Sequence, residues 1–101
     1  MNPEALILLD PERRTVRIPG QIVHFTKREF DLLAALIAAD GRILTRSWIE
    51  ENVWEDEMPL ESDTIKTTIN AIRKKLGPER HALATVRGVG YRFVCKKEDR
   101  V

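Results

Sequence analysis

The segment from Asp63 to Leu76 sets polar and apolar residues at spacings that could do chemistry. Ile65, Ile69, Ile72 and Leu76 recur at i, i+4, i+7 and i+11, the spacing of a helix that buries one stripe. At about 100° per residue, the opposite face carries Asp63, Thr67, Asn70 and Lys74, flanked by Lys66, Ala71 and Arg73. The hydrogen-bonding groups on that face differ in kind. A carboxamide donates and accepts at once, an ammonium only donates, and a threonine sets a methyl beside a hydroxyl. Such a set matches base-pair edges in the major groove of DNA: Asn can pair with adenine through two hydrogen bonds, Lys donates to guanine, and the Thr67 methyl can meet a thymine methyl. Each good pair is worth roughly 1–3 kcal/mol of discrimination. The 14 residues from Asp63 to Leu76 would form a helix about 21 Å long, which the groove, about 12 Å wide, admits.

A second cationic feature follows. Ala84-Thr85-Val86 and Tyr91-Arg92-Phe93-Val94 bracket Arg87-Gly88-Val89-Gly90, which reads as a hairpin whose glycines permit the positive φ of a tight turn. Arg87 would project near its tip. Its permanent charge suits the narrow, electronegative minor groove of A·T-rich DNA, and equally an arginine that only solvates the turn.

Other chemistries lack their residues. The sequence holds no Ser/His/acid or Cys/His set, no phosphate-cradling loop and no HExxH, so catalysis is not expected. His24 and His81 have no cysteine or carboxylate at ligand spacing, so neither a metal nor a cofactor is expected. The single cysteine, Cys95, lies beside Phe93 and Val94 as a small, half-buried filler. No apolar run approaches a membrane span of roughly 18 residues and no secretory signal is present, which points to a cytoplasmic chain.

Net charge is only +1, yet it is unevenly spread. Residues 1 to 62 hold 7 Lys/Arg against 12 Asp/Glu, whereas residues 63 to 97 hold 9 against 2. One end of the molecule would attract a polyanion and the other would repel it.

The elements that must position these groups can be read along the chain. At 101 residues with 43% hydrophobic content, one compact domain over 1–101 is expected. Residues 1–25 alternate Leu6-Ile7-Leu8-Leu9, Thr15-Val16-Arg17-Ile18 and Ile22-Val23-His24-Phe25 with Pro and Gly turn formers, as a small antiparallel sheet does. Thr26-Lys27-Arg28-Glu29 has the form of a capping box, and Phe30, Leu33, Ala34 and Ile37, with Leu32 and Leu36 beside them, predict a core helix that Asp40-Gly41 closes. Arg42-Ile43-Leu44 is a short link. Thr45 or Ser47 caps a second helix carrying Trp48, Ile49, Val53 and Trp54, and residues 55–61 form an acidic loop broken by Pro59. Ser62 is the expected N-cap of the third helix, with Asp63 at its first position and Gly77-Pro78 at its end. Three helices over 26–77 and a hairpin over 83–95 are the parts of an α+β winged helix-turn-helix.

Several runs carry a resemblance. Thr85-Val86-Arg87-Gly88-Val89-Gly90-Tyr91-Arg92-Phe93 and Ile69-Asn70-Ala71-Ile72-Arg73-Lys74-Lys75-Leu76 are similar to the C-terminal DNA-binding domain of OmpR/PhoB-type response regulators. So are Phe25-Thr26-Lys27-Arg28-Glu29-Phe30-Asp31-Leu32-Leu33, Gly41-Arg42-Ile43-Leu44-Thr45-Arg46 and Val53-Trp54. The resemblance implies a four-stranded N-terminal sheet, three helices and a C-terminal hairpin wing, in the effector domain of a two-component transcriptional regulator. The DNA bound would be double-stranded, usually as tandem direct repeats occupied by a head-to-tail dimer. It places Lys66, Thr67, Asn70 and Ala71 toward bases, with Arg73 at the groove edge beside Lys74, and Arg87 in the minor groove. Arg46, Trp54, Thr64 and Thr85 would contact the DNA backbone, although Trp54 also has a plain core reading. Glu55, Asp56 and Glu57 fall in the loop that touches RNA polymerase in several members, and a solvated loop would look the same.

The chain departs from the family at Asp63, where Arg is frequent, and at Asn70-Ala71, where two basic residues are frequent. Fewer cations mean fewer neutralised phosphates and weaker salt dependence. The same departures favour the alternative reading, a winged-helix protein-interaction module without specific DNA binding.

Overall fold

The computed structural model describes residues 7–57, 60–61 and 63–94. The expectations for Leu6, Pro59, Ser62 and Cys95 fall outside these residues. Strands β1 (Leu8–Asp10), β2 (Thr15–Ile18) and β3 (Gln21–His24) form an antiparallel meander in the order β1-β2-β3. Val16 and Ile18 of β2 point into the core with Arg17 between them outside, as the two-residue period of a strand requires, and Thr15 at its start is buried as well.

The four-stranded N-terminal sheet is corrected here, because among the described residues it has three strands. The next strand, β4 (Leu44–Thr45), leaves it for the C-terminal hairpin formed by β5 (Leu83–Val86) and β6 (Gly90–Phe93), giving a second sheet in the order β4-β6-β5. Leu44 pairs with Tyr91 and Thr45 with Gly90. Gly90 explains why that pairing is so close. Its backbone lacks a positive φ, but a Cβ there would stand 2.1 Å from the Leu44 carbonyl oxygen, so only glycine lets β4 approach. The turn needs its special conformation at Gly88 instead, with φ +77°.

Helix α1 (Lys27–Ala38) begins on the predicted capping box: the Thr26 hydroxyl accepts from the Glu29 amide at 3.2 Å and the Glu29 carboxylate accepts from the Thr26 amide at 2.9 Å. Its buried side chains are Phe30, Leu32, Leu33 and Leu36, whereas Ala34 and Ile37 are only partly covered. The core-facing stripe is therefore turned toward Leu32 and Leu36 from the face expected. Asp40 and Gly41 both take positive φ and end the helix. Helix α2 (Arg46–Asn52) is capped by Thr45, whose hydroxyl accepts from the Trp48 amide at 3.1 Å, and not by Ser47.

Helix α3 (Thr64–Leu76) starts one residue later than expected. Asp63 is its N-cap and its side chain makes no capping hydrogen bond. At the other end Gly77 (φ +58°) stops the α-helix, and the chain continues through a 3₁₀ turn over Gly77–Ala82 into β5. Ile65, Ile69, Ile72 and Leu76 are all buried, in one cluster with Leu32, Leu33 and Leu36 of α1, Ile49 of α2, and Leu83 and Phe93 of the hairpin. Among the described residues no helix is long and apolar enough to cross a membrane.

Because Ile69 is fully buried at the middle of this stripe, Ile69→Ala is expected to destabilise the fold by about 2–5 kcal/mol. Chemical denaturation checks this, and an unchanged unfolding midpoint would mean that α3 packs by another face.

Candidate nucleic-acid interface

Burial of the isoleucine stripe fixes what α3 shows to solvent. Lys66, Thr67, Asn70 and Lys74 are exposed, and Thr64, Ala71 and Arg73 are half-buried at the margins. The exposed face is the one read from the spacing. The N-terminal part of α3 and the hairpin line a shared cleft, with Asp63 and Lys66 from the helix, Val86, Gly88 and Val89 from the hairpin, and Arg46 from α2. Arg87 is exposed in the three-residue turn from Arg87 to Val89, which the Val89 amide closes by donating to the Val86 carbonyl at 2.9 Å. Lys66 and Arg87 thus belong to two elements that border one concavity.

Two of the expected contact residues are occupied elsewhere. Trp54 is 2% exposed and belongs to the core, with the Arg28 guanidinium 5.5 Å from its ring centroid, so the core reading replaces the DNA-backbone one. Arg73, expected at the groove edge of the base-facing set, is turned toward the hairpin. Its Nε donates to the Leu83 carbonyl at 3.0 Å, its Nη2 to the Thr85 hydroxyl at 2.7 Å and its Nη1 to Asn70 Oδ1 at 3.3 Å. The guanidinium therefore braces helix against hairpin. Its signal in the sequence was slight: on a helical wheel Arg73 lies about 70° from the centre of the buried stripe, at the border and not on the exposed face.

Of the two threonines expected at the DNA backbone, Thr64 is half-buried at the start of α3, and Thr85 is exposed and takes the Arg73 hydrogen bond. Arg46 is exposed and forms an ion pair with Glu50 at 2.9 Å, an i,i+4 pair in α2. The acidic loop is also held. Arg28 reaches from α1 to Asp56 at 3.4 Å and Glu57 at 3.1 Å while hydrogen-bonding the Val53 carbonyl, and Glu55, Asp56 and Glu57 all remain exposed. The Arg28 brace is not visible from spacing, because Arg28 and its acidic partners lie far apart in sequence.

A third brace fixes the C-terminal half of α3. Lys75 Nζ lies 2.7 Å from Glu29 Oε1 and 5.3 Å from the Phe25 ring centroid, so the carboxylate that caps α1 also anchors α3. The Glu29 side chain is 12% exposed. Burial alone raises its pKa, but the Lys75 hydrogen bond, the Thr26 amide, the Lys75 charge and the Thr26 hydroxyl together outweigh burial and hold the carboxyl below its usual range. A depressed carboxyl pKa contributes stability above the ordinary glutamate value, and that contribution is lost as pH falls through the lower folded value. Glu29→Gln is therefore expected to lower the unfolding midpoint at neutral pH and to flatten its acid dependence, so that the two proteins converge in acid. Parallel curves for the two proteins over that range would contradict this role.

Known proteins share this architecture. A family model described as "Transcriptional regulatory protein, C terminal" matches residues 20–93. The response regulator protein PmrA of Pseudomonas aeruginosa is 35% identical over 83 residues, covering 82% of this chain and 37% of the relative. The response regulator MprA of Mycobacterium sp. (strain KMS) is 39% identical over 87 residues, covering 84% of this chain and 38% of the relative. The chain thus spans less than two fifths of these curated relatives. Among solved structures, the Klebsiella pneumoniae RstA DNA-binding domain in complex with the RstA box superposes with a TM-score of 0.76 at 28% identity, covering 89% of this chain and 92% of that one. The DNA-binding domain of CpxR from E. coli superposes with a TM-score of 0.75 at 28% identity, covering 96% and 97%. With the family model matching most of its length and a winged helix-turn-helix in place, this chain belongs to the family of C-terminal domains of transcriptional regulatory proteins, of the OmpR/PhoB type.

Proposed function

We propose that the chain binds double-stranded DNA sequence-specifically, as the effector part of a cytoplasmic two-component transcriptional regulator. The observation that carries this reading is that the solvent face of α3, bearing Lys66, Thr67, Asn70 and Lys74, borders the same cleft as the hairpin that bears Arg87. A helix of 13 residues is about 20 Å long and enters the major groove, and a hairpin beside it reaches the next minor groove. Lys66, Thr67, Asn70, Ala71 and Lys74 then meet base edges, and Arg87 enters the minor groove. Arg46, Thr64 and Thr85 contact the sugar-phosphate backbone, which sets register without reading sequence.

Two partners extend this reading. Tandem direct repeats bound by a head-to-tail pair of domains would supply the contacts that one domain with Asn70-Ala71 in place of cations lacks. The loop bearing Glu55, Asp56 and Glu57, held up by Arg28, is the surface for RNA polymerase.

Selection from a randomised duplex pool tests the proposal. An enriched tandem motif supports it, and no enrichment at low salt favours the protein-interaction alternative. On the winning site, Arg87→Ala is expected to weaken binding by roughly 1–3 kcal/mol when the wing flank is A·T, and by less when it is G·C. Equal losses on both flanks would contradict minor-groove insertion.

A further inference from the structure

Asn70 is positioned by a cation on its own helix. Arg73 lies three residues on, and β5 holds its guanidinium from the far side through the Leu83 carbonyl at 3.0 Å and the Thr85 hydroxyl at 2.7 Å. The remaining Nη1 donates to the Asn70 side chain at 3.3 Å. A guanidinium carries five N–H donors and no acceptor, so the Asn70 atom that faces it is Oδ1. The amide NH2 is left for other partners, on the same exposed face as Lys66 and Lys74.

We propose that Arg73 sets the base preference of α3: by occupying one acceptor site of Asn70 Oδ1 and setting a cation beside it, it leaves the amide NH2 as the group best placed to meet a base, so Asn70 selects a G·C pair over an A·T pair. This rests on the duplex-binding reading above and goes beyond it, because it reverses the adenine pairing expected from the residue type. Adenine pairing needs Oδ1 to accept from the N6 amino group while the amide NH2 donates to N7. With a cationic donor already on Oδ1, the adenine amino group would approach a guanidinium, donor against donor. Guanine sets two acceptors, N7 and O6, side by side in the same groove, and an amide NH2 with a positive charge behind it complements both. Arg73 is thus a positioning residue that reads no base itself. Its three hydrogen bonds need a planar fork, which lysine does not supply.

The test is selection from randomised duplex pools by the wild type and by Asn70→Ala, Arg73→Lys and Thr85→Val. The motif position whose preference disappears in Asn70→Ala is the one Asn70 reads. That position is expected to be G·C in the wild type, preferred by about tenfold, and to move toward A·T in Arg73→Lys. Circular dichroism establishes that Arg73→Lys is folded. Should it not fold, Thr85→Val, which removes one anchor of the guanidinium and keeps the arginine, is expected to shift the preference in the same direction. A lost backbone contact alone would instead weaken all sequences equally. An A·T pair at the Asn70 position, a G·C preference unchanged in the folded variants, or a motif with no position relaxed by Asn70→Ala overturns the assignment of Arg73 and leaves DNA binding standing. A wild type that enriches no motif overturns the duplex-binding reading, and this inference with it.

Discussion

Ile65, Ile69, Ile72 and Leu76 can leave water together only when α3 is rotated so that Lys66, Thr67, Asn70 and Lys74 face outward. Each such side chain contributes about 1.5–3 kcal/mol on burial, whereas a surface ion pair contributes about 0–1. A one-residue rotation of α3 would expose part of the stripe, and no surface contact could offset that. The hydrophobic term therefore decides which side chains are available for recognition. Polar contacts then refine the placement, with Lys75 to Glu29 tying α3 to α1 and Arg73 tying it to β5.

The hairpin depends on the same core from the other side. Leu83 and Phe93 anchor β5 and β6 in the cluster that holds α3, so the tip with Arg87 is carried on strands fixed at their base. Gly90 lets β4 pack directly on β6, and β4 leads straight into the Thr45 cap of α2. Helix, helix and hairpin are thus set relative to one another by buried contacts, while the loop after α2 is set by Arg28. Rigid placement of this kind lowers the ordering cost of binding.

The features legible in the sequence are those with local causes. The capping box at Thr26, the Asp40-Gly41 stop, the α3 stripe and the turn at Gly88 each need residues within a few positions of one another, and each stands as read. Pairing across the fold was not legible. Nothing near Leu44 announces that it joins Tyr91, so a segment read as a short link holds a strand of the hairpin sheet, while the N-terminal sheet has three strands among the described residues and not the four implied by the resemblance. The sequence left Trp54 with two readings and Arg73 at the groove edge for one reason: an amphipathic side chain can face inward or outward, and only its long-range neighbours decide which. Of the candidate contacts, the exposed face of α3 and Arg87 were readable from spacing, whereas the braces that orient them were not.

The central claim, that the solvent face of α3 meets a duplex, is tested most directly by the salt dependence of affinity. Each neutralised phosphate contributes about −0.9 to the slope of log affinity against log salt concentration. The account predicts a steep negative slope for the wild type on its selected site, and in Lys66→Gln/Lys74→Gln, with the fold intact, a loss of most of the preference for that site over random duplex. A slope near zero, or a double variant that keeps the full site preference, would contradict it.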